Sequence, residues 1–310
     1  MGILVIGAAF MDIKGFPQDN YIPDGRNVGR VEYIHGGVAR NVVEDIANVE
    51  LRPIYLGIVD DTPMGAAVVQ KLQHHKVNCD YVMTRPDGMG TWLAVFDNHG
   101  DVAGSISKRP NMLPLVDLLN EKGDEIFEKA DSVVLEVDLD KALVKKVLEL
   151  AQRHGKKRFA LVSNMSLAVE RRDFIKQFDC FICNQQEAGM FFFDDYSGKT
   201  CEEMRDVLAE KVVQAQIPAM VVTLGGDGAV YADLHGMKGY CPAIDVQVKD
   251  TTGAGDAFCA GVSIGLTYDK SLPEAINIGA QLAASVITTS ENVCPRFLPK
   301  ELGLRVDVAD

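Results

Sequence analysis

Asp250-Thr251-Thr252-Gly253-Ala254-Gly255-Asp256-Ala257-Phe258 is the stretch on which the fold turns. Ahead of it, residues 243–248 (Ala-Ile-Asp-Val-Gln-Val) alternate apolar and polar, which predicts a half-buried strand. Behind it, residues 257–266 are small and apolar without proline, which predicts a buried helix. The nine residues read as a strand-to-helix turn, and Gly253 and Gly255 let its backbone take positive φ and approach a ligand closely. The first amides of a helix have no partner inside it, and the helix dipole adds partial positive charge there, so such a turn is an anion site. Asp256 repels an anion unless its carboxylate has a task. Phosphoryl transfer supplies one: a carboxylate takes the proton of an acceptor hydroxyl while amides hold the phosphoryl oxygens. An acid in the first helical turn is also a common dipole partner, and the residues alone leave both readings open.

Composition narrows the classes. At 310 residues the chain has room for one large α/β domain or two smaller ones. Hydrophobic residues at 47% and charged residues at 24% fit a soluble globular protein. No apolar run reaches membrane-spanning length and residues 1–6 run straight into a strand pattern, so no signal peptide and a cytoplasmic location are expected. The net charge of −13 argues against nucleic acid or an anionic membrane as partner, so a bound phosphate needs local backbone donors and a metal. The seven cysteines are scattered. Cys180 and Cys183 lie on a predicted buried strand with no second ligand pair at zinc spacing, so they read as small apolar residues.

Four further stretches carry candidate chemistry. Residues 3–6 form a continuous apolar run closed by Gly7, the pattern of a strand buried on both faces, with Asp12 just past its carboxyl end, where open α/β sheets bind ligands. Residues 15–35 look loop-like, with rough alternation over 27–34, and His35-Gly36-Gly37-Val38-Ala39-Arg40-Asn41 then opens a helix; the Gly-Gly pair by itself is a tight-turn signal. Asn184-Gln185-Gln186-Glu187 follows the predicted strand 178–183, and Asn and Glu at i and i+3 face one side of a starting helix, in the pattern of a capping box. Thr223-Leu224-Gly225-Gly226-Asp227-Gly228 follows the strand 219–223, and its glycines bring backbone close to a flat or phosphorylated ligand.

Between these lie a strand at 53–59, a helix at 66–75, and a hairpin at 91–96 and 102–107 around Asp97-Asn98-His99-Gly100-Asp101. From residue 113 helices (115–129, 141–154, 204–214) alternate with strands (132–137, 158–162, 178–183, 219–223), which implies βαβ units and a mostly parallel sheet. No linker or repeat divides the chain, so a single domain over 1–310 is expected. A P-loop is excluded because Phe193 stands where the first glycine before Gly198-Lys199-Thr200 belongs. A dinucleotide fingerprint is excluded because Gly7-Ala8-Ala9-Phe10-Met11-Asp12 lacks the second and third glycines.

The nonapeptide 250–258 resembles the C-terminal signature of the ribokinase (PfkB) family of carbohydrate and nucleoside kinases, and residues 35–41 resemble its N-terminal signature. The resemblance spans nearly the full length and implies a three-layer α/β/α fold with a mostly parallel central sheet and a small β-sheet lid, here about 12–35 and 88–110. It implies that Asp256 is the catalytic base and that Gly253, Ala254, Gly255 and Asp256 form the anion hole. It gives Asp12, Gly36, Gly37 and Asn41 to the sugar. Asn184 and Glu187 match a motif that organises Mg²⁺ and phosphates, with Glu187 on the metal side. Thr223, Gly225, Gly226, Gly228 and Thr252 border the ATP. A monovalent cation such as K⁺ near Asp250 and Thr252 occurs in some members.

The expected activity is ATP-dependent phosphorylation of a primary hydroxyl of a sugar or ribonucleoside. Val38 stands where ribokinase-like members often carry Lys, and Gly-Gly-Val-Ala-Arg-Asn looks more like the pseudouridine kinase branch; a fructokinase- or ribokinase-like sugar kinase and a non-catalytic sugar- or nucleotide-sensing relative are the alternatives. Trp92 on the lid has two readings, a stacking surface for substrate or a packing residue. The lid's open strand edges also invite a homodimer.

Overall fold

In the computed structural model residues 2–305 are described; Met1, which begins the expected opening strand pattern, and residues 306–310 lie outside them. The chain runs β1 (Ile3–Ile6), β2 (Phe10–Pro17), β3 (Gly29–Gly36), α1 (Val38–Asn48), β4 (Ile54–Leu56), β5 (Ile58–Val59), α2 (Pro63–His74), β6 (Met83–Thr84), β7 (Gly90–Phe96) and β8 (Val102–Lys108). It continues α3 (Pro114–Glu128), β9 (Ser132–Glu136), α4 (Lys141–Arg153), β10 (Lys157–Leu161), two single-turn helices α5 (Met165–Ala168) and α6 (Arg172–Ile175), β11 (Cys180–Asn184) and α7 (Gln185–Phe192). It ends with α8 (Cys201–Ala215), β12 (Ala219–Thr223), β13 (Ala229–Asp233), β14 (Lys238–Cys241), α9 (Ala254–Thr267) and α10 (Leu272–Ile287).

The central sheet has eight strands in the order β14-β13-β12-β11-β10-β9-β1-β4. The pairs from β4 to β12 are parallel, and β13 and β14 add an antiparallel edge. Successive strand residues feed opposite faces, as the pleat requires. Val5, Val134, Phe159 and Ile182 pack with α1, α9 and α10, whereas Leu4, Leu135, Ala160 and Phe181 pack with α3, α4, α7 and α8. Both faces are covered, which is why these strands are continuous apolar runs and not alternating ones. From β1 the chain passes to β4 on one side, and after β8 and α3 it returns to β9 on the other. The carboxyl ends of β1 and β9 therefore border the crevice where an open α/β sheet takes its ligand.

A separate four-stranded sheet, ordered β3-β2-β7-β8, is built from residues 10–36 and 90–108. Register pairs put Asp12, Ile34, Trp92 and Ser107 in one row. The next row, on the opposite face, is Ile13, Tyr33, Leu93 and Ile106.

The sequence expectations change in four places. Residues 243–248 form no strand: the ladder ends at Cys241, and the stretch runs largely exposed past the sheet edge to Lys249, whose amide donates to the Ile287 carbonyl at 2.7 Å. Alternation alone could not show that no neighbouring strand was available. Asp12 lies within β2, since the chain leaves β1 into the small sheet with no intervening loop long enough to hold it. Residues 15–35 are less loop-like than their Pro and Gly content suggested, because β2 extends to Pro17 and β3 begins at Gly29. The strand expected over 53–59 breaks at Gly57, where β5 pairs with β6 outside the central sheet. Among the described residues no helix is long and apolar enough to cross a membrane.

Helix α9 is held at fixed depth by its contact with α10. A Cβ on Gly261 would stand 2.6 Å from the Gly279 Cα, so the two backbones touch. Gly261→Val should destabilise the fold by about 1–3 kcal/mol or more, measured by denaturant unfolding. Unchanged stability would mean that this helix contact tolerates a side chain.

Candidate active site

Two helix N-termini converge beside the β1–β9 crevice, and glycine caps both. Gly37 caps α1 at φ 98° and Gly253 caps α9 at φ 84°. A side chain is impossible at either place: a Cβ on Gly37 would lie 2.6 Å from the Ala8 carbonyl oxygen, and one on Gly253 would lie 2.1 Å from that of Asn292. Each cap also lets the backbone of a neighbouring segment press against the helix start.

Asp256 sits in the first turn of α9, half-buried, and its Oδ2 accepts a hydrogen bond from Asn41 Nδ2 at 2.6 Å. Burial pushes its pKa up to about 6, against the lowering effects of the Asn41 hydrogen bond and the Arg40 charge; Asp12 and Glu187 add to the rise. A carboxyl poised there is ionised at neutral pH and still basic enough to share a proton. The amides of the turn are not equivalent. Ala254 N–H is spent on the Thr251 carbonyl at 3.2 Å, whereas Gly255 and Asp256 N–H have no acceptor among the described residues. The free amides of this turn are therefore those of Gly255 and Asp256, and Gly253 sets the backbone turn.

Asp12 projects from β2 toward the same place. Burial raises its pKa, and Lys14 and Arg40 partly counter the rise. Gly36 is glycine for its sake: a Cβ there would stand 2.4 Å from the Asp12 carboxylate. Asn41 is buried, and its Oδ1 accepts from Arg40 Nη2 and from Asn292 Nδ2, the latter at 3.3 Å.

On the other side of the crevice the N-terminal pair forms a complete capping box. Asn184 Oδ1 accepts from Glu187 N at 2.8 Å, and Glu187 Oε2 accepts from Asn184 N at 2.9 Å. Asn184 and Thr223 are register partners on adjacent strand ends. Burial raises the Glu187 pKa, and Asp138 adds to it. Glu187 Oε1 has no hydrogen-bond partner among the described residues, and a carboxylate oxygen of that kind suits a hard cation such as Mg²⁺. The glycine turn opens a β12–β13 hairpin. Gly228 is at φ 97°, where a Cβ would meet the Cys241 carbonyl at 2.2 Å, while Gly225 and Gly226 face open space. Gly228 therefore answers a local packing demand, and the other two leave a bare surface.

Several polar residues at the site were not singled out in the sequence. Glu136, at the carboxyl end of β9, is fully buried and accepts from Ala8 N at 3.1 Å and Ala39 N at 2.9 Å. It ties the end of β1 to the start of α1. Asp138 joins Arg109 Nη2 at 2.7 Å and Ser163 Oγ at 2.7 Å, fastening the end of the small sheet to β9 and β10. An acid ending an apolar strand at its ligand-side edge was a usable sign for both. Asn292 had none, because it lies in an irregular segment.

The match to the family model described as pfkB family carbohydrate kinase covers residues 2–295. The chain is 33% identical over 292 residues to a guanosine-inosine kinase of Exiguobacterium acetylicum, covering 94% of this chain and 95% of that protein. It is 24% identical over 266 residues to a pseudouridine kinase of Escherichia coli strain K12, covering 84% and 82%. Its fold matches that of Arabidopsis thaliana ribokinase complexed with ribose and ATP at TM-score 0.83, with 19% identity and 97% of each chain covered. With two glycine-capped helix starts, a poised Asp256 and this extent of similarity, the chain belongs to the pfkB family and is an ATP-dependent carbohydrate or nucleoside kinase.

Proposed function

We propose that the chain phosphorylates a primary hydroxyl of a ribonucleoside, with guanosine or inosine as first candidate. The carrying observation is the register pairing of Asp12 with Trp92. Both side chains leave adjacent strands on the face toward Asp256, so a ribose held by Asp12 has an indole beside it. A nucleobase offers that indole a full aromatic face to stack on, a larger contact than a sugar ring alone presents. The similarity to the guanosine-inosine kinase supports a purine base. Pseudouridine is the second reading, supported by Gly36-Gly37-Val38-Ala39-Arg40-Asn41 and by the more distant relative of that name.

In this reading the Asp256 carboxylate accepts the proton of the acceptor hydroxyl, with its orientation set by Asn41. The unpartnered Gly255 and Asp256 N–H groups are the donors available to the oxygens of the transferring phosphoryl group. Asn184, Glu187, Thr223, Gly225, Gly226 and Thr252 border the ATP, and Asp12, Gly36 and Asn41 orient the sugar. Mg²⁺, held on the Glu187 side, supplies neutralising charge for the phosphates when bound. The four-stranded sheet acts as a lid that keeps water from the phosphoryl group. Asp250 and Thr252 border a cavity of about 320 Å³ with Ser290, Glu291 and Lys14. Those oxygens suit K⁺, with which the Lys14 ammonium competes.

ADP release across guanosine, inosine, adenosine, uridine, pseudouridine, ribose and fructose, with and without K⁺, tests the assignment. Turnover is expected to be highest with guanosine or inosine, and Asp256→Asn should lower kcat by roughly 10²–10⁴ while ATP still binds. Preferred turnover of a free sugar, or near-normal kcat in Asp256→Asn, would overturn it. Trp92→Ala should raise KM for the nucleoside about tenfold, within the 1–3 kcal/mol of a stacked base, and leave any residual ribose turnover unchanged. An equal effect on both would make Trp92 a packing residue.

The outer row of the lid also supports the expected homodimer. Tyr33, Leu93 and Ile106 are 59%, 41% and 71% exposed and lie in one register row with Ile13. A second copy of the same lid is the partner that would cover an apolar row flanked by two open strand edges. Sedimentation should show a dimer that Ile106→Glu converts to monomer. A monomeric wild-type chain would remove this proposal.

A further inference from the structure

Arg40 is the largest fully buried side chain among the described residues, 1% exposed, and the mechanism above leaves it without a task. Its guanidinium meets four acceptors at once. Nε donates to the Gly36 carbonyl at 3.3 Å, Nη1 to Glu44 Oε2, and Nη2 to both the His35 carbonyl and Asn41 Oδ1. Glu44, one turn further along α1, is itself fully buried and also meets Lys71 Nζ of α2 at 3.0 Å. A planar fork with fixed donors suits this arrangement, and a point charge does not.

The consequence falls on Asn41. The oxygen and nitrogen of an amide have nearly the same shape, so only its neighbours decide which end faces Asp256. Arg40 Nη2 and Asn292 Nδ2 are both donors and both face one end of the Asn41 amide. That end must be the oxygen. The NH₂ group is thereby turned to Asp256 Oδ2 at 2.6 Å. With the amide reversed, oxygen would face carboxylate and NH₂ would face guanidinium, two repulsive contacts in a buried setting. Asn292 alone is a weaker selector, because its bond to Asn41 is the longer and its NH₂ is shared with the His35 carbonyl at 2.9 Å.

We propose that the buried Arg40–Glu44 pair is a positioning device for catalysis: it fixes the amide of Asn41 as a donor to Asp256 and so holds the catalytic carboxylate in one orientation. The role rests on the kinase reading above, and Arg40 touches neither substrate nor reacting atoms. The charged and titratable groups facing the pair are His35 from β3, Asp12 from β2, Lys71 and His75 from α2, Asp256 from α9, and Asp45 on α1 itself. Asp256 additionally faces Glu187 from α7.

Removing one member alone would strand a buried charge and unfold the site, so both are neutralised together. In Arg40→Gln/Glu44→Gln the fork is gone and similar volume remains. For a double variant that remains folded by circular dichroism, kcat for the best nucleoside is expected to fall at least tenfold, with KM for ATP within about twofold. The acid limb of kcat should move to higher pH, because Asp256 loses an oriented donor and a positive neighbour. Arg40→Lys should not restore kcat, since one ammonium cannot serve four acceptors. A folded double variant with wild-type kcat and an unmoved acid limb, or full activity in Arg40→Lys, would overturn the proposal. A substrate-free readout separates this from the function itself. The side-chain amide resonance of Asn41 should follow the titration of Asp256 in wild type and lose that dependence in the double variant. An Asn41 resonance indifferent to Asp256 in wild type would overturn the proposal, whereas a coupled resonance in a chain that phosphorylates no nucleoside would retain it and remove the substrate assignment.

Discussion

The 2.6 Å hydrogen bond from Asn41 to Asp256 joins the first turns of two helices, α1 and α9, that lie 215 residues apart in the chain. It requires both helix starts to reach the same crevice, and each gets there because its cap is a glycine on which another backbone rests. Ala8 lies against Gly37 and Asn292 against Gly253. The same convergence brings two positive helix ends into one crevice, in a chain whose net charge is −13. The local field, and not the global one, has to favour the anionic substrate.

That local field is finely opposed. Asp12, Glu136, Asp138, Glu187 and Asp256 crowd the ends of the strands, and burial raises the pKa of Asp12, Glu136, Glu187 and Asp256. Four of the five are held by something specific. Glu136 takes two backbone amides, Asp138 takes Arg109 and Ser163, Glu187 takes the Asn184 amide, and Asp256 takes Asn41. Only Asp256 combines its single fixed partner with a place among free amides, which suits it to exchange a proton. Glu136 and Asp138 are committed to holding segments together.

The alternating helices and strands after residue 113 were legible because strands buried on both faces and helices with one apolar stripe leave unmistakable patterns, and the two glycine signatures marked both helix starts. The strand expected over 243–248 failed because alternation shows that a segment is half-covered, not that a neighbouring strand exists. Asp12 was expected just past the first strand but lies within β2, since a chain that passes from one sheet directly into another leaves no turn signal. The Asn184–Glu187 stretch proved to be a capping box in geometry, which leaves one Glu187 oxygen for another role. Arg40 was the hardest to read. A buried arginine leaves no periodic trace, and its meaning depends on Asn292 and Glu44, whose positions are set by tertiary packing.

Burial and the hold of Asn41 tune the Asp256 carboxylate, the proposed base, to neutral conditions. A carbon-13 NMR titration of the aspartate carboxyls, with Asp256 assigned by comparison with Asp256→Asn, measures this without any substrate. Its midpoint is expected near 6, so the group is protonated below that pH and a competent base above it. A midpoint in the ordinary aspartate range, about 4, would leave Asp256 as an ordinary acid at a helix start and not a tuned base.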